Sequence, residues 1–140
     1  MLSAIAAGNI NICTFVSAAP SNVLNSVVQC SGGSTQGIIG IAQEHTNQMA
    51  GTLGTVPALA ASVGQPISIR QLQDLGMQDV LLCVASGYTV EPGNSLGSDA
   101  SGNGYPAALG SGVPIGAIAI EAGVAGQYIR VEPLAPYAKA

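Results

Sequence analysis

Few side chains in this sequence are of a type that does chemistry. His45 is the single imidazole, and Cys13, Cys30 and Cys83 are the only thiols. Together they have the composition of a Cys3His zinc site. The spacing opposes one, because no C-x2-C knuckle preorganises two thiolates. Cys13 and Cys83 fall inside apolar runs expected to be strands, where a free thiol behaves as a small hydrophobe. An odd thiol count argues against a closed disulfide framework and for synthesis in a reducing cytosol.

His45 would have to serve any nucleophilic triad. Its neighbour Glu44 would point to the opposite face of a strand, and no G-x-S-x-G elbow surrounds a serine. His45 is therefore read as a loop residue making local hydrogen bonds. The run Asp99-Ala100-Ser101-Gly102-Asn103-Gly104 places oxygen ligands and a final glycine as a calcium loop does. The position that should carry a bidentate Glu is Gly110, however, and Pro106 suits no entering helix, so the run is read as a hairpin turn. Glu121 and Glu132 are expected on neighbouring strands, with Arg130 making a salt bridge rather than leaving a carboxylate pair. Asp99 lacks the D-[TS]-G spacing of an aspartic protease, and no glycine-rich loop precedes a helix to seat a phosphate. No catalytic, cofactor or metal site is expected. The chain reads as a non-enzyme.

The elements that would position these residues alternate with period two, and helical periodicity is scarce. Strands are expected over residues 10–16, 23–30, 37–42, 66–72 and 79–84, then over the shorter runs 88–91, 94–98 and 105–108. Two strong strands, 115–121 and 127–134, close the domain. Pro92-Gly93-Asn94 and the residues Asp99, Gly102, Asn103 and Gly104 supply turns, because Pro presets φ while Gly and Asn tolerate positive φ. Gly116 within a strand marks a bulge or a close backbone approach. The expected fold is all-β: a small barrel or sandwich of about 8–10 short, mostly antiparallel strands with one long irregular loop. That loop is 43–65, which shows no alternation; Thr55-Val56-Pro57 within it carries the start signals of a short helix through residues 58–62. Residues 1–9 are read as an apolar arm or terminus, 10–134 as the barrel domain and 135–140 as a tail.

Composition narrows the function. Charged residues make up only 7% of the 140 and hydrophobic ones 48%, against about 25% charged in ordinary domains. Disorder needs low hydrophobicity and high net charge, and this chain has neither. Arg70, Arg130 and Lys139 are the three basic residues beside a net charge of -4, so no nucleic-acid partner is expected. No run approaches the roughly 20 apolar residues of a membrane helix. Residues 1–19 are apolar, but they lack a basic residue and Asn9 and Asn11 interrupt them, so they are not read as a signal peptide. A surface so poor in charge points to permanent assembly, because extended uncharged patches mark interaction sites. A lipoyl- or biotinyl-carrier barrel would need a Lys at a hairpin tip, and the only Lys is Lys139, beside the C-terminus.

Several runs resemble one family. VEPGNSLGSDASGNG at 90–104, IGAIAIE at 115–121, GQYIRV at 126–131 and the earlier Gly40-Ile41-Ala42-Gln43-Glu44 are similar to tailed-phage capsid decoration, or cement, proteins. The likeness spans roughly residues 10–134 and is closer after Asp79. It departs at Gly97, where such proteins often carry Lys or another polar residue, and in the expanded 43–65 loop. The resemblance implies a small β-barrel, commonly a homotrimer, on the outer capsid surface, with the major capsid protein as partner. Candidate capsid or trimer contacts are Leu2 and Ile5 in the arm, His45, Met49, Leu53, Val56 and Leu59 in the loop, and the tyrosines Tyr105 and Tyr137. Tyr88 is a further candidate anchor, while Tyr128, in a strong strand, is expected in the core. Two rival functions stand beside this one. A head-fibre or carbohydrate-binding module would need an aromatic platform, and a small trimeric hydrolase would have to depend on His45 or a carboxylate pair.

Overall fold

The computed structural model describes residues 2–18, 26–32, 37–42, 59–61, 63–70, 80–107 and 112–133. Among them the chain forms fourteen strands and no helix. In order these are β1 (Leu2–Ala6), β2 (Ile10–Asn11), β3 (Thr14–Ala18), β4 (Ser26–Gln29), β5 (Ile38–Ala42), β6 (Leu59–Ala61) and β7 (Pro66–Arg70). The second half adds β8 (Val80–Cys83), β9 (Thr89–Val90), β10 (Ser95–Ser98), β11 (Gly104–Pro106), β12 (Ala117–Ala119), β13 (Gly123–Val124) and β14 (Tyr128–Pro133).

The strands make two curved layers. The first half closes into a five-stranded barrel in the order β1-β4-β3-β5-β7, and the second half forms a sheet in the order β11-β10-β12-β14-β8. Ribbons β2-β6 and β9-β13 accompany them. A bridge between Val84 and Gly104, with the Ala85 N–H donating to the Gly104 carbonyl at 2.8 Å, draws the two outer strands of the second sheet together. That sheet is thereby curled into a half-barrel. The all-β architecture is the one the alternating pattern implies.

Strand β3 explains how the layers share a core. Its side chains from Thr14 to Ser17 are all buried, because the strand has apolar neighbours on both faces. Phe15 enters the core beneath the second sheet with Leu82, Leu96, Ile129 and Val131. Val16 points the other way, into the barrel with Val27, Ile67 and Ile69. Strand β5 needs a further device, since Ile38 and Ile41 belong to one core although three residues apart. A register shift against β3, where Val16 faces Gly40 and Ser17 faces Ile38, inserts one residue and returns both isoleucines to the same side.

Three expectations are corrected. Residues 2–6 are no arm: β1 lies between β4 and β7 and closes the barrel, parallel to the first and antiparallel to the second. Its inward residues are Ala4 and Ala6 while Ile5 faces out, so the hydrophobic pattern is inverted in size. Residues 59–61 are not helical but form β6, antiparallel to β2; the rest of that helix signal, at 55–58 and 62, lies outside the described residues, as does 43–58 of the long loop. The expected strand over 10–16 is broken at Cys13, whose φ is +55°, a left-handed conformation that ends β2 and restarts the chain as β3.

Gly116 lies where the two layers meet most closely. A Cβ there would come within 2.4 Å of Phe15 Cε1 and 2.8 Å of Ile38 Cγ2, and Phe15 is fully buried and has nowhere to retreat. Gly116→Ala is expected to cost about 2 kcal/mol or more through overpacking, read as a lower urea midpoint. Gly8→Ala, whose Cβ would meet open space, should stay within about 0.5 kcal/mol of the parent.

Candidate functional site

The two turn motifs of the second half do structural work. In Glu91-Pro92-Gly93-Asn94, Gly93 takes φ +90° and the Asn94 N–H donates to the Glu91 carbonyl at 3.1 Å. The Asn94 Oδ1 accepts from the Glu91 N–H at 2.8 Å. In the β10–β11 hairpin, Asp99 Oδ1 accepts from the backbone N–H groups of Ser101 at 2.8 Å and Asn103 at 2.9 Å. The carboxylate therefore caps its own turn. Gly102, at φ +80°, lets the tip lie against the barrel: the Phe15 N–H donates to the Gly102 carbonyl at 2.8 Å, and Gln29 Nε2 donates to the Ser101 carbonyl at 2.8 Å. Gly104 closes the motif where a Cβ would meet Leu82 Cδ2 at 2.5 Å. Among the described residues no group of three or more His, Cys, Asp or Glu side chains is placed to hold a metal ion.

The second sheet has one face in the core and one turned outward. Along β14 burial alternates strictly, with Tyr128, Arg130 and Glu132 exposed and Ile129, Val131 and Pro133 buried. Register extends that outer face sideways: Tyr128 faces Cys83 and Arg130 faces Leu81 on β8, while Glu132 faces Ile118 on β12. Tyr128 is 52% exposed and Ile120, just beyond β12, is 51% exposed, so Tyr128 is corrected from a core residue to a surface one. Arg130 Nε lies 3.4 Å from Glu121 Oε2, and the Arg130 N–H donates to Glu121 Oε1 at 2.9 Å. Glu121 is thus the partner of Arg130, as its position predicts, rather than half of a carboxylate dyad. Beside this face stand exposed Val124 on β13 and exposed Tyr88, whose ring lies 5.2 Å from that of Tyr105 at 39°. The face mixes exposed Tyr128 and Ile120 with the charged side chains of Arg130, Glu121 and Glu132. It can bind by area.

The sequence-derived contacts are distributed differently. Leu2 and Ile5 are on β1 of the barrel, with Ile5 exposed, and Leu59 is in β6. Tyr105, half-buried on β11 of the second sheet, lies against the ring of Tyr88, which stands just ahead of β9. His45, Met49, Leu53, Val56 and Tyr137 lie outside the described residues. Ile120 and Val124 were missed; their signal was an outward position at the end of a strand whose inward neighbours are Ala119 and Gly123.

The thiols are held protonated. Burial pushes Cys13 from 9.0 up to about 11, with the nearby Cys83 adding to the shift. Burial likewise carries Cys30 to about 11, opposed in part by the hydroxyls of Ser17 and Ser98. Cys83 is also raised, by burial first and then by Asp99. Cys13 occupies the left-handed turn rather than a strand, and Cys83 ends β8 half-buried on the outer face.

The sequence matches no family model and no curated protein. Among solved structures, the fold is similar to the N base of the head fibre protein gp8.5 of bacteriophage phi29. The TM-score is 0.52 at 13% identity, covering 94% of this chain and 91% of the other.

Asp99→Ala removes the acceptor of two backbone N–H groups and should lower stability by about 1–2 kcal/mol in urea titration. Because folding raises the thiol values, the folded state binds their protons more tightly than the unfolded chain does. That stabilisation is complete below pH 9.0 and is lost as pH rises through about 11. Melting temperature should fall across this window, and less steeply in Cys30→Ala.

Proposed function

We propose that this chain is a structural protein of a phage head, seated on the outer capsid surface as a homotrimer and holding neighbouring subunits of the major capsid protein together. The observation that carries this reading is the nearly end-to-end likeness of its fold to a phage head fibre base. The outer face around Tyr128 and Ile120 is the seat we assign to the capsid. It offers the apolar area of Tyr128 and Ile120, with Arg130 already paired to Glu121 and one further carboxylate, Glu132, and burial of that area supplies most of the contact energy in this reading. Bound protein must be displaced before the subunits it spans separate, so its binding free energy adds to shell stability by linkage. No step of this action is chemical.

A second reading is favoured by the same neighbour: the chain is the foot of a head fibre, anchoring a longer assembly instead of acting alone. The two readings share the seat and differ in what rises from it. Image reconstruction of particles carrying the protein separates them, as a low knob or as the base of a projecting stalk.

Titrating purified protein onto capsids that lack it tests the shared claim. The protein should run at three times its 13.8 kDa chain mass in light scattering and raise the temperature at which capsids come apart. With one internal ion pair and a single further carboxylate on the seat, affinity should change less than roughly threefold between 50 and 500 mM salt. Tyr128→Glu combined with Ile120→Asp should weaken binding by about 100-fold or more with an unchanged melting temperature. A monomer indifferent to capsids at every salt concentration would sink the proposal.

A further inference from the structure

Cys13 and Cys83 are 70 positions apart in sequence but adjoin across the seam between the barrel and the second sheet. The Cys83 N–H donates to the Cys13 carbonyl at 2.9 Å. On its other side, the Cys13 N–H donates to the Ala42 carbonyl of β5 at 2.7 Å. Cys13 is thus clamped between β5 and β8. A disulfide needs Cα atoms roughly 4.4–6.8 Å apart, and the direct backbone hydrogen bond sets the two residues side by side, close enough that Cys83 adds to the upward shift that burial gives Cys13. The two side chains also share surroundings: the phenol of Tyr128, which faces Cys83 from β14, is raised by burial first and then by both Cys83 and Cys13. Cys83 Sγ is turned toward the Val84 carbonyl at 3.7 Å, a weak contact that rotation about χ1 releases.

We infer that Cys13 and Cys83 form a modification site: an intramolecular disulfide that staples the barrel to the second sheet when the chain meets a small-molecule disulfide such as oxidised glutathione. The partly exposed Cys83 gives up its proton, and its thiolate attacks one sulfur of the oxidant, releasing one equivalent of glutathione. Cys13 then loses its proton and attacks Cys83 Sγ in the mixed disulfide, expelling the second equivalent. The protein gives up two electrons and two protons, and the oxidant becomes two thiols. Cys30 takes no part, because it is buried in the core beneath the second sheet. The raised thiol values make closure slow at neutral pH and keep the pair open in a reducing cytosol. That the bond closes only after release from the host cell rests on the phage-head reading. The bond itself does not, and the isolated chain reports on it whether or not it binds capsids.

The test is native incubation of the purified chain with oxidised glutathione at about pH 8.5, followed by acid quenching, alkylation in denaturant and peptide mass mapping. The expected product is lighter by about 2 Da, with Cys13 and Cys83 joined and Cys30 alkylated. Cys30→Ala should give the same bond, whereas Cys13→Ser should stop at a stable glutathione adduct on Cys83. The oxidised form should melt higher by on the order of 10 °C, reversed by dithiothreitol. Glutathione adducts that persist on Cys83 in the parent chain, a bond to Cys30, or bond formation only in denaturant would each overturn the inference.

Discussion

The structure depends on one strand having two insides. Phe15, the sole phenylalanine, leaves the barrel strand β3 to fill the core of the other sheet, while its neighbour Val16 fills the barrel. Its backbone is committed as well: the N–H holds the hairpin at Gly102, and the carbonyl accepts from Cys30 at 2.9 Å. A ring of that size between two curved sheets needs space, and Gly116 supplies it by having no side chain. The layers are therefore interlocked through a bulky residue on one and a missing Cβ on the other. Such an interface tolerates little change in volume on either side.

The same economy recurs wherever backbones approach. Gly104 admits Leu82, Gly123 admits Ile129, and Gly102 admits Thr14 and Gln29. Curvature in so small a domain comes from these contacts and from the shifted register of β5, because short strands alone do not bend a sheet far. Polar groups caught at the joint are mostly satisfied by backbone partners, with Ser17 Oγ left without an ordinary hydrogen bond beside the Cys30 thiol. That weak contact is consistent with its place in the strand buried on both faces.

Much of this was legible in the sequence, for physical reasons that differ by element. The strands around β8, β12 and β14 declared themselves because one face is core and the other is more open, which imposes alternation. Both turns were legible because only certain residues take their dihedral angles. Strand β1 was hidden because alanine faces inward and isoleucine outward, so the burial pattern runs against the hydrophobicity. The break at Cys13 carried no signal at all, since nothing in its residue type announces a left-handed turn. The outer face of the second sheet was half legible: Arg130 and Glu121 pair as their positions implied, but Tyr128 looked like core because a large aromatic in a strong strand usually is. What exposes it is parity along β14, fixed by Ile129 and Val131 going in.

Parity also sets the make-up of the outer face, where Tyr128, Ile118, Ile120, Leu81 and Cys83 stand with the Arg130–Glu121 ion pair and Glu132. The inward set is made of ordinary core residues, so nothing inside dictates which side chains stand on the outer face. Strand parity, turn residues and close backbone approaches fix this fold while leaving most outward side chains free to differ. A likeness of fold over 94% of the chain accordingly coexists with 13% identity.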